Sequence, residues 1–206
     1  MQNSAETRRD FLKRTPILFA APLALACRAD TPAQQRDGTL LVRIKKNAIR
    51  DPRSEWWGAA DAPQGVSSRT DLRQPGDEPP SLVVSGTVYN ADGTPAPNIL
   101  IYLYHTDVHG IYGRAGEHRH GKYRGWLLTD EKGRYEFTTI MPASYPDSTV
   151  AAHIHMTVTS EERREDWIDS ILFDGDRFLT ERERAVRRGG FDPDGTLRGV
   201  RDIKLM

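Results

Sequence analysis

The chain has a single cysteine, Cys27, so no internal disulfide can form and no cluster of thiolates can hold a metal. Its 29 Lys and Arg are balanced by 29 Asp and Glu. That removes the basic excess expected of a nucleic-acid binder or of a protein drawn to anionic membranes. A glycine-rich phosphate loop is missing, and strand signals do not alternate with helix signals, which excludes the nucleotide-binding α/β folds. No internal repeat is present. The longest apolar run, Ile17 to Ala26, reaches only about half the length a membrane span requires.

What is present falls into three stretches. Residues 1–27 read as a targeting segment, with Thr7-Arg-Arg-Asp-Phe-Leu-Lys13 resembling a twin-arginine export signal and Ala24-Leu-Ala26 serving as a small-x-small cleavage site. The alternative is a lipoprotein anchored at Cys27, with Ala24 standing where leucine is usual. Either route implies an exported protein, periplasmic or extracellular, with no transmembrane helix in its mature form. Residues 28–80 carry Pro, Gly, Ser and Asp clusters and no sustained periodicity, so they read as an irregular linker or wrapping segment. Trp56-Trp57 within them is expected to plug a core edge, as large aromatics mostly do.

From residue 81 to 206 the pattern is that of one domain. Leu82 to Tyr89, Ile99 to Tyr104, Gly125 to Thr129 and Tyr135 to Thr139 are β-rich, separated by turn signals such as Asn90-Ala-Asp-Gly93 and Asp130-Glu-Lys-Gly133. Ile99 to Tyr104 is apolar on both faces and should be central. Thr159-Ser-Glu-Glu162 and Thr180-Glu-Arg-Glu183 fit helix-capping boxes, with Gly189 ending the second helix and a last strand following near Leu197 to Leu205. The fold class is therefore all-β: an antiparallel β-sandwich core with an irregular N-terminal wrap and short C-terminal helices.

The chemistry concentrates in residues 139–158. In His153-Ile154-His155-Met156-Thr157-Val158 the alternation suits a strand, placing both imidazoles on one face and Ile154, Met156 and Val158 on the other. The Pro-punctuated loop Met141-Pro-Ala-Ser-Tyr-Pro146 can return Tyr145 over that strand. Imidazole together with phenolate oxygen favours a hard trivalent ion, oxidised iron rather than zinc. His109, His118 and His120 form a second cluster, read as a solvated loop, with metal contact, a place behind the metal ligands or a pocket wall as the alternatives.

This ordered set resembles the intradiol ring-cleavage dioxygenases, which carry Thr-Ile-x-Pro-x-x-Tyr followed closely by His-x-His, and an earlier Gly-x-Tyr. Here these are Thr139 to Tyr145, His153-Ile-His155 and Gly110-Ile-Tyr112, within a resemblance running from about Leu82 to Val158. It implies Fe(III) held by Tyr112, Tyr145, His153 and His155, with the two tyrosines also catalytic. The substrates implied are a catecholic small molecule and O2, and the product a muconate-type diacid. A departure is Val150, where the family commonly places an arginine; Arg114, Arg119 or Arg124 are candidates to replace it. A non-catalytic β-sandwich binding module and a zinc-dependent hydrolase are the rival functions, and a homo-oligomer is compatible with the sequence.

Overall fold

The β-prone runs pair into two sheets in the computed structural model of the protein, which describes residues 32–51, 56–78, 80–114, 117–180, 188–191 and 196–206. The targeting segment 1–27 lies outside the described residues. The strands are β1 (Arg69–Asp71), β2 (Ser81–Tyr89), β3 (Leu100–His105), β4 (Arg124–Leu128), β5 (Arg134–Ile140), β6 (His153–Thr159), β7 (Asp166–Leu172), β8 (Arg188–Phe191), β9 (Leu197–Val200) and β10 (Ile203–Lys204). One sheet runs β4-β3-β6-β7; the other runs β1-β5-β2-β9-β8 with β10 also on β2.

The four-stranded sheet is antiparallel throughout. The other is mixed, because β1 runs parallel to β5 and both β9 and β10 run parallel to β2. This corrects the expectation of a purely antiparallel sandwich: long connections, rather than tight hairpins, deliver the flanking strands. As expected, β3 is central and every one of its residues is buried. The core lies between the sheets, where Val84, Val88 and Phe137 meet Ile101, Leu103, Leu127, Ile154, Met156 and Val158. Burying each such side chain contributes about 1.5–3 kcal/mol. At one end of this layer a polar pair spans the two sheets: Thr139 Oγ1 lies 2.7 Å from His105 Nε2, and His105 Nδ1 lies 2.7 Å from the Thr106 carbonyl. Burial holds the His105 pKa down at about 4.

Two further expectations are corrected. Residues 32–78 are not merely irregular: helix α1 (Pro32–Asn47) and the residue after it bury Leu41, Ile44 and Ala48 against Ala59, Ala62 and Leu100. The three- and four-residue spacing of those positions is a helical face, but Gly38 and the neighbouring Pro-rich chain obscure it in the sequence. Nor does a helix follow β6. Ser160 instead closes a turn, its amide donating to the Arg163 carbonyl at 3.1 Å and its Oγ accepting from the Arg163 amide at 3.1 Å. The chain then returns as β7, so the capping residues cap a hairpin. Residues 181–187, where a second C-terminal helix is expected, lie outside the described residues, and Gly189 sits in β8, paired with β9. The expected return of residues 197–205 is present as β9 and β10. Among the described residues, no helix is long and apolar enough to cross a membrane.

Candidate metal centre

The two faces of β6 divide as its alternation requires. Ile154, Met156 and Val158 enter the core. His153 and His155 stand on the outer face, with Tyr104 of β3 directly opposite His155 and Tyr102 opposite Thr157. On that face two loops supply phenols. Tyr145 comes from the loop after β5 and Tyr112 from the loop after β3.

Two glycines make this possible. Gly110 has φ 79°, and a Cβ there would sit 2.1 Å from the Ser144 carbonyl oxygen, so the two loops pack backbone to backbone. Gly121, with φ 67°, lies so close under Tyr112 that a Cβ would come within 1.6 Å of the Tyr112 carbonyl oxygen. Asp107 shapes the same loop, its Oδ1 accepting from the amides of His109 and Ile111 at 2.8 and 3.0 Å, as its turn-forming chemistry predicts.

Four side-chain atoms converge. Tyr112 Oη lies 2.6 Å from Tyr145 Oη, and Tyr145 Oη lies 3.1 Å from His153 Nε2 and 3.3 Å from His155 Nε2. The two Nε2 atoms are 3.0 Å apart. All four residues singled out from the sequence are thus brought together. The tautomer of His153 is fixed from behind: its Nδ1 lies 2.7 Å from the Ala151 carbonyl, to which only an N–H can donate. In the neutral ring this tautomer puts the lone pair on Nε2, aimed at the shared point. His155 is backed at long range by Ser170 Oγ, 3.5 Å from its Nδ1.

The electrostatics suit a cation. Burial first, then the neighbouring His153, pushes the His155 pKa down to about 3, so its imidazole is neutral. Burial also raises both phenols above their usual range; for Tyr112 the Tyr145 contact adds to this, and for Tyr145 the Tyr112 hydrogen bond partly offsets it. A bound trivalent cation reverses the sign for the phenols, stabilising phenolate at neutral pH. Among the described residues, no three His, Cys, Asp or Glu side chains are grouped to hold a metal. A cation here therefore depends on the two phenol oxygens, a donor set that fits ferric iron. The zinc-hydrolase alternative requires a third histidine or a carboxylate at the site, and the described residues place none there.

Around the donors lie residues whose part the sequence did not reveal. Tyr104 stacks on His120 with ring centroids 3.8 Å apart and planes within 5°, and tilts against His155 at 4.6 Å. His120 is buried rather than solvated, with Nδ1 hydrogen-bonded to Tyr102 Oη and Nε2 accepting from Arg119 Nε at 3.2 Å. Trp56 is not a core plug: it is 43% exposed and lies edge-on to His155 at 5.1 Å. Arg119 donates to the Trp57 carbonyl at 3.0 Å and Arg124 to the Gly121 carbonyl, so both brace the loop that carries Tyr112. No pattern in the sequence links residue 56 or 120 to residue 155; the sheet does.

Two phenols and two imidazoles meeting on the outer face of a two-sheet β-sandwich fit the donor set that the resemblance to the intradiol ring-cleavage dioxygenases implies. The chain belongs to that dioxygenase family, whose model (Dioxygenase_C) matches residues 58–187. It is 31% identical over 103 residues to the catechol 1,2-dioxygenase of Acinetobacter baylyi, covering 41% of this chain and 33% of that enzyme. It is likewise 31% identical over 112 residues to the hydroxyquinol 1,2-dioxygenase of Nocardioides simplex, covering 47% and 38%. The matched stretch thus spans little more than a third of these relatives. In fold it resembles the mercury-inhibited catechol 1,2-dioxygenase of Acinetobacter sp. ADP1, with a TM-score of 0.58 at 24% identity, over 69% of this chain and 59% of that one. It also resembles the dioxygenase domain of a dioxygenase carbohydrate-binding protein fusion from Streptomyces sp. SirexAA-E. There the TM-score is 0.55 at 20% identity, over 76% of this chain and 95% of that domain.

Proposed function

We propose that the protein is a non-haem iron(III) dioxygenase that opens a catecholic ring between its two hydroxylated carbons, giving a muconate-type diacid. The observation that carries the reading is the convergence of Tyr112, Tyr145, His153 and His155 within 2.6–3.3 Å, in a chain that belongs to the intradiol family. Bound ferric iron would supply the electron-withdrawing centre that makes a chelated catecholate reactive toward O2. Both oxygen atoms of O2 end in the product, so no reductant is consumed.

The protein's own residues contribute in three ways. His153 and His155 present their Nε2 atoms from a rigid strand, the first held in place by the Ala151 carbonyl. Tyr145 Oη, which touches the other three donor atoms, is the centre of the set. Tyr112 sits on a loop and is only partly buried. Its oxygen is the base that takes a catechol hydroxyl proton and carries it away from the incoming substrate. Val150, half exposed ahead of His153, supplies no charge to the ring.

The reading of residues 1–27 as a twin-arginine signal extends the proposal to an exported enzyme, since that route carries folded, metal-loaded proteins. The test is a visible spectrum of the iron-loaded protein before and after catechol is added without oxygen. A phenolate-to-iron charge-transfer band that shifts on addition is expected. A metal-bearing but colourless protein would overturn the proposal.

A further inference from the structure

The exposed large hydrophobic side chains are not scattered. Among the described residues there are eight, and five of them, Trp56, Val108, Ile111, Val150 and Trp167, lie on segments that carry or touch the four donors. Ile111 precedes Tyr112, Val150 stands three residues ahead of His153, and both indoles lie against His155. An isolated exposed hydrophobic residue means little, whereas a group around one site marks a surface that something apolar covers.

Trp56 and Trp167 form the fixed part of that surface. Their ring centroids are 5.0 Å apart at 67°, and each lies about 5 Å from the ring of His155, at 5.1 and 5.0 Å. His155 is buried, yet the indoles keep 43% and 36% of their surface open. Both hang from one anchor. Glu165 Oε1 accepts from the amides of Gly58 and Ala59 at 3.0 Å each, just after Trp56. It also accepts from Thr157 Oγ1 at 2.7 Å, and Thr157 is the residue paired with Trp167. Trp126 Nε1 donates to the Gly58 carbonyl at 2.9 Å. A Cβ at Gly58 would meet the Tyr102 ring at 2.2 Å, so this segment lies flat on the sheet. The indoles are therefore held in place before any ligand arrives, which lowers the ordering cost of binding.

We propose that Trp56 and Trp167 form a platform for a planar ring attached to the catechol, so that the preferred substrate is an aryl-substituted catechol rather than catechol itself. The inference rests on the dioxygenase reading above. Bare catechol needs only the donor atoms, and it leaves both indoles in water. A second ring joined to the catechol reaches past the imidazole of His155, where edge-to-face and offset packing on the indoles is available. Val150 and Ile111, exposed on the segments that carry His153 and Tyr112, bring no charge and favour an uncharged extension.

The experiment compares anaerobic binding of 4-phenylcatechol and catechol to the iron-loaded protein, by quenching of tryptophan fluorescence and by the visible band, followed by kcat/KM from oxygen uptake. We expect 4-phenylcatechol to bind at least about tenfold tighter, in line with one good aromatic contact. Trp56→Ala and Trp167→Ala should each bring the two Kd values within about threefold, with the change in KM rather than kcat, and Trp56→Phe and Trp167→Phe should restore part of the preference. Equal Kd values in the unmodified protein, or a ratio that survives both alanine changes, would overturn the platform. Should an alanine variant fail to fold, the phenylalanine variants carry the same comparison. A fluorescence-detected preference with no visible band would keep the platform and reject the dioxygenase; turnover without preference would do the reverse.

Discussion

The two faces of the β4-β3-β6-β7 sheet are built by the same strands under different rules. On the inner face, Ile101, Leu103, Ile154, Met156 and Val158 are interchangeable in kind: each excludes water, and each could be another apolar residue of similar volume. On the outer face, Tyr104, His153, His155 and Trp167 are fixed by particular contacts at particular atoms. One face answers for stability and the other for chemistry. A strand's period of two lets a seven-residue segment such as β6 serve both without compromise.

The sharpest way to break this division is to strike the outer face. Tyr145→Phe or His153→Ala should drop oxygen uptake below detection and abolish stoichiometric iron binding, with the metal-free melting temperature shifted by only a few degrees. Retained turnover in either variant would count against the site. Striking the inner face should do the opposite. Met156→Ala, at a position with no exposed surface, should cost about 2–5 kcal/mol in a urea titration. The surviving folded fraction should still bind iron, and a loss of iron from that folded fraction would show that the faces are coupled.

A smaller test uses acid. His105, at the end of the inner layer, is buried neutral with its pKa lowered from 6.5 to about 4. Between those values the unfolded chain binds more protons than the folded one, so stability is complete above about pH 6.5 and falls as pH drops toward 4. The full loss amounts to about 3 kcal/mol. His155, lowered to about 3, would add to this in metal-free protein. Stability measured from pH 7 to 4 should slope less steeply in His105→Gln, and in native protein once iron occupies His155. An unchanged slope in His105→Gln would move the acid sensitivity elsewhere.

The sequence made one face legible and left the other half hidden. Alternation in residues 153–158 gives both the core side and the histidine side, because period two needs no knowledge of the rest of the fold. The order of Gly110-Ile-Tyr112, Tyr145 and His153-Ile-His155 then carries the donor set. What stayed out of reach depends on pairing between distant segments. Trp56 meets His155 where Glu165 pins Gly58 and Ala59, and His120 reaches the site through the ring of Tyr104. Local signals also misled where one motif serves two structures. Ser160 can cap a helix or a turn, and the strand pairing of β6 with β7 decided for the turn. Helix α1 is hard to read from the sequence because its apolar stripe, Leu40, Leu41 and Ile44, is short and follows Gly38.

The mixed sheet bears on how the protein is made. All four donors lie between residues 112 and 155, and the widest pairing in their sheet, Leu100 with Thr159, spans 59 positions, so this sheet can form once β7 has been synthesised. The opposite sheet cannot: Leu82 pairs with Leu197, 115 positions away, and Val88 waits for Ile203. Non-local pairing of this kind slows folding. Closure of β9 and β10 onto β2 is therefore the late step; until it occurs the apolar backs of β3 and β6 are covered by β2 and β5, and the core lacks Ile203 and Leu205. A ribosome must finish nearly the whole described domain before the layer beneath the histidines is sealed, which makes the nascent chain a natural client for chaperones that shield apolar strands.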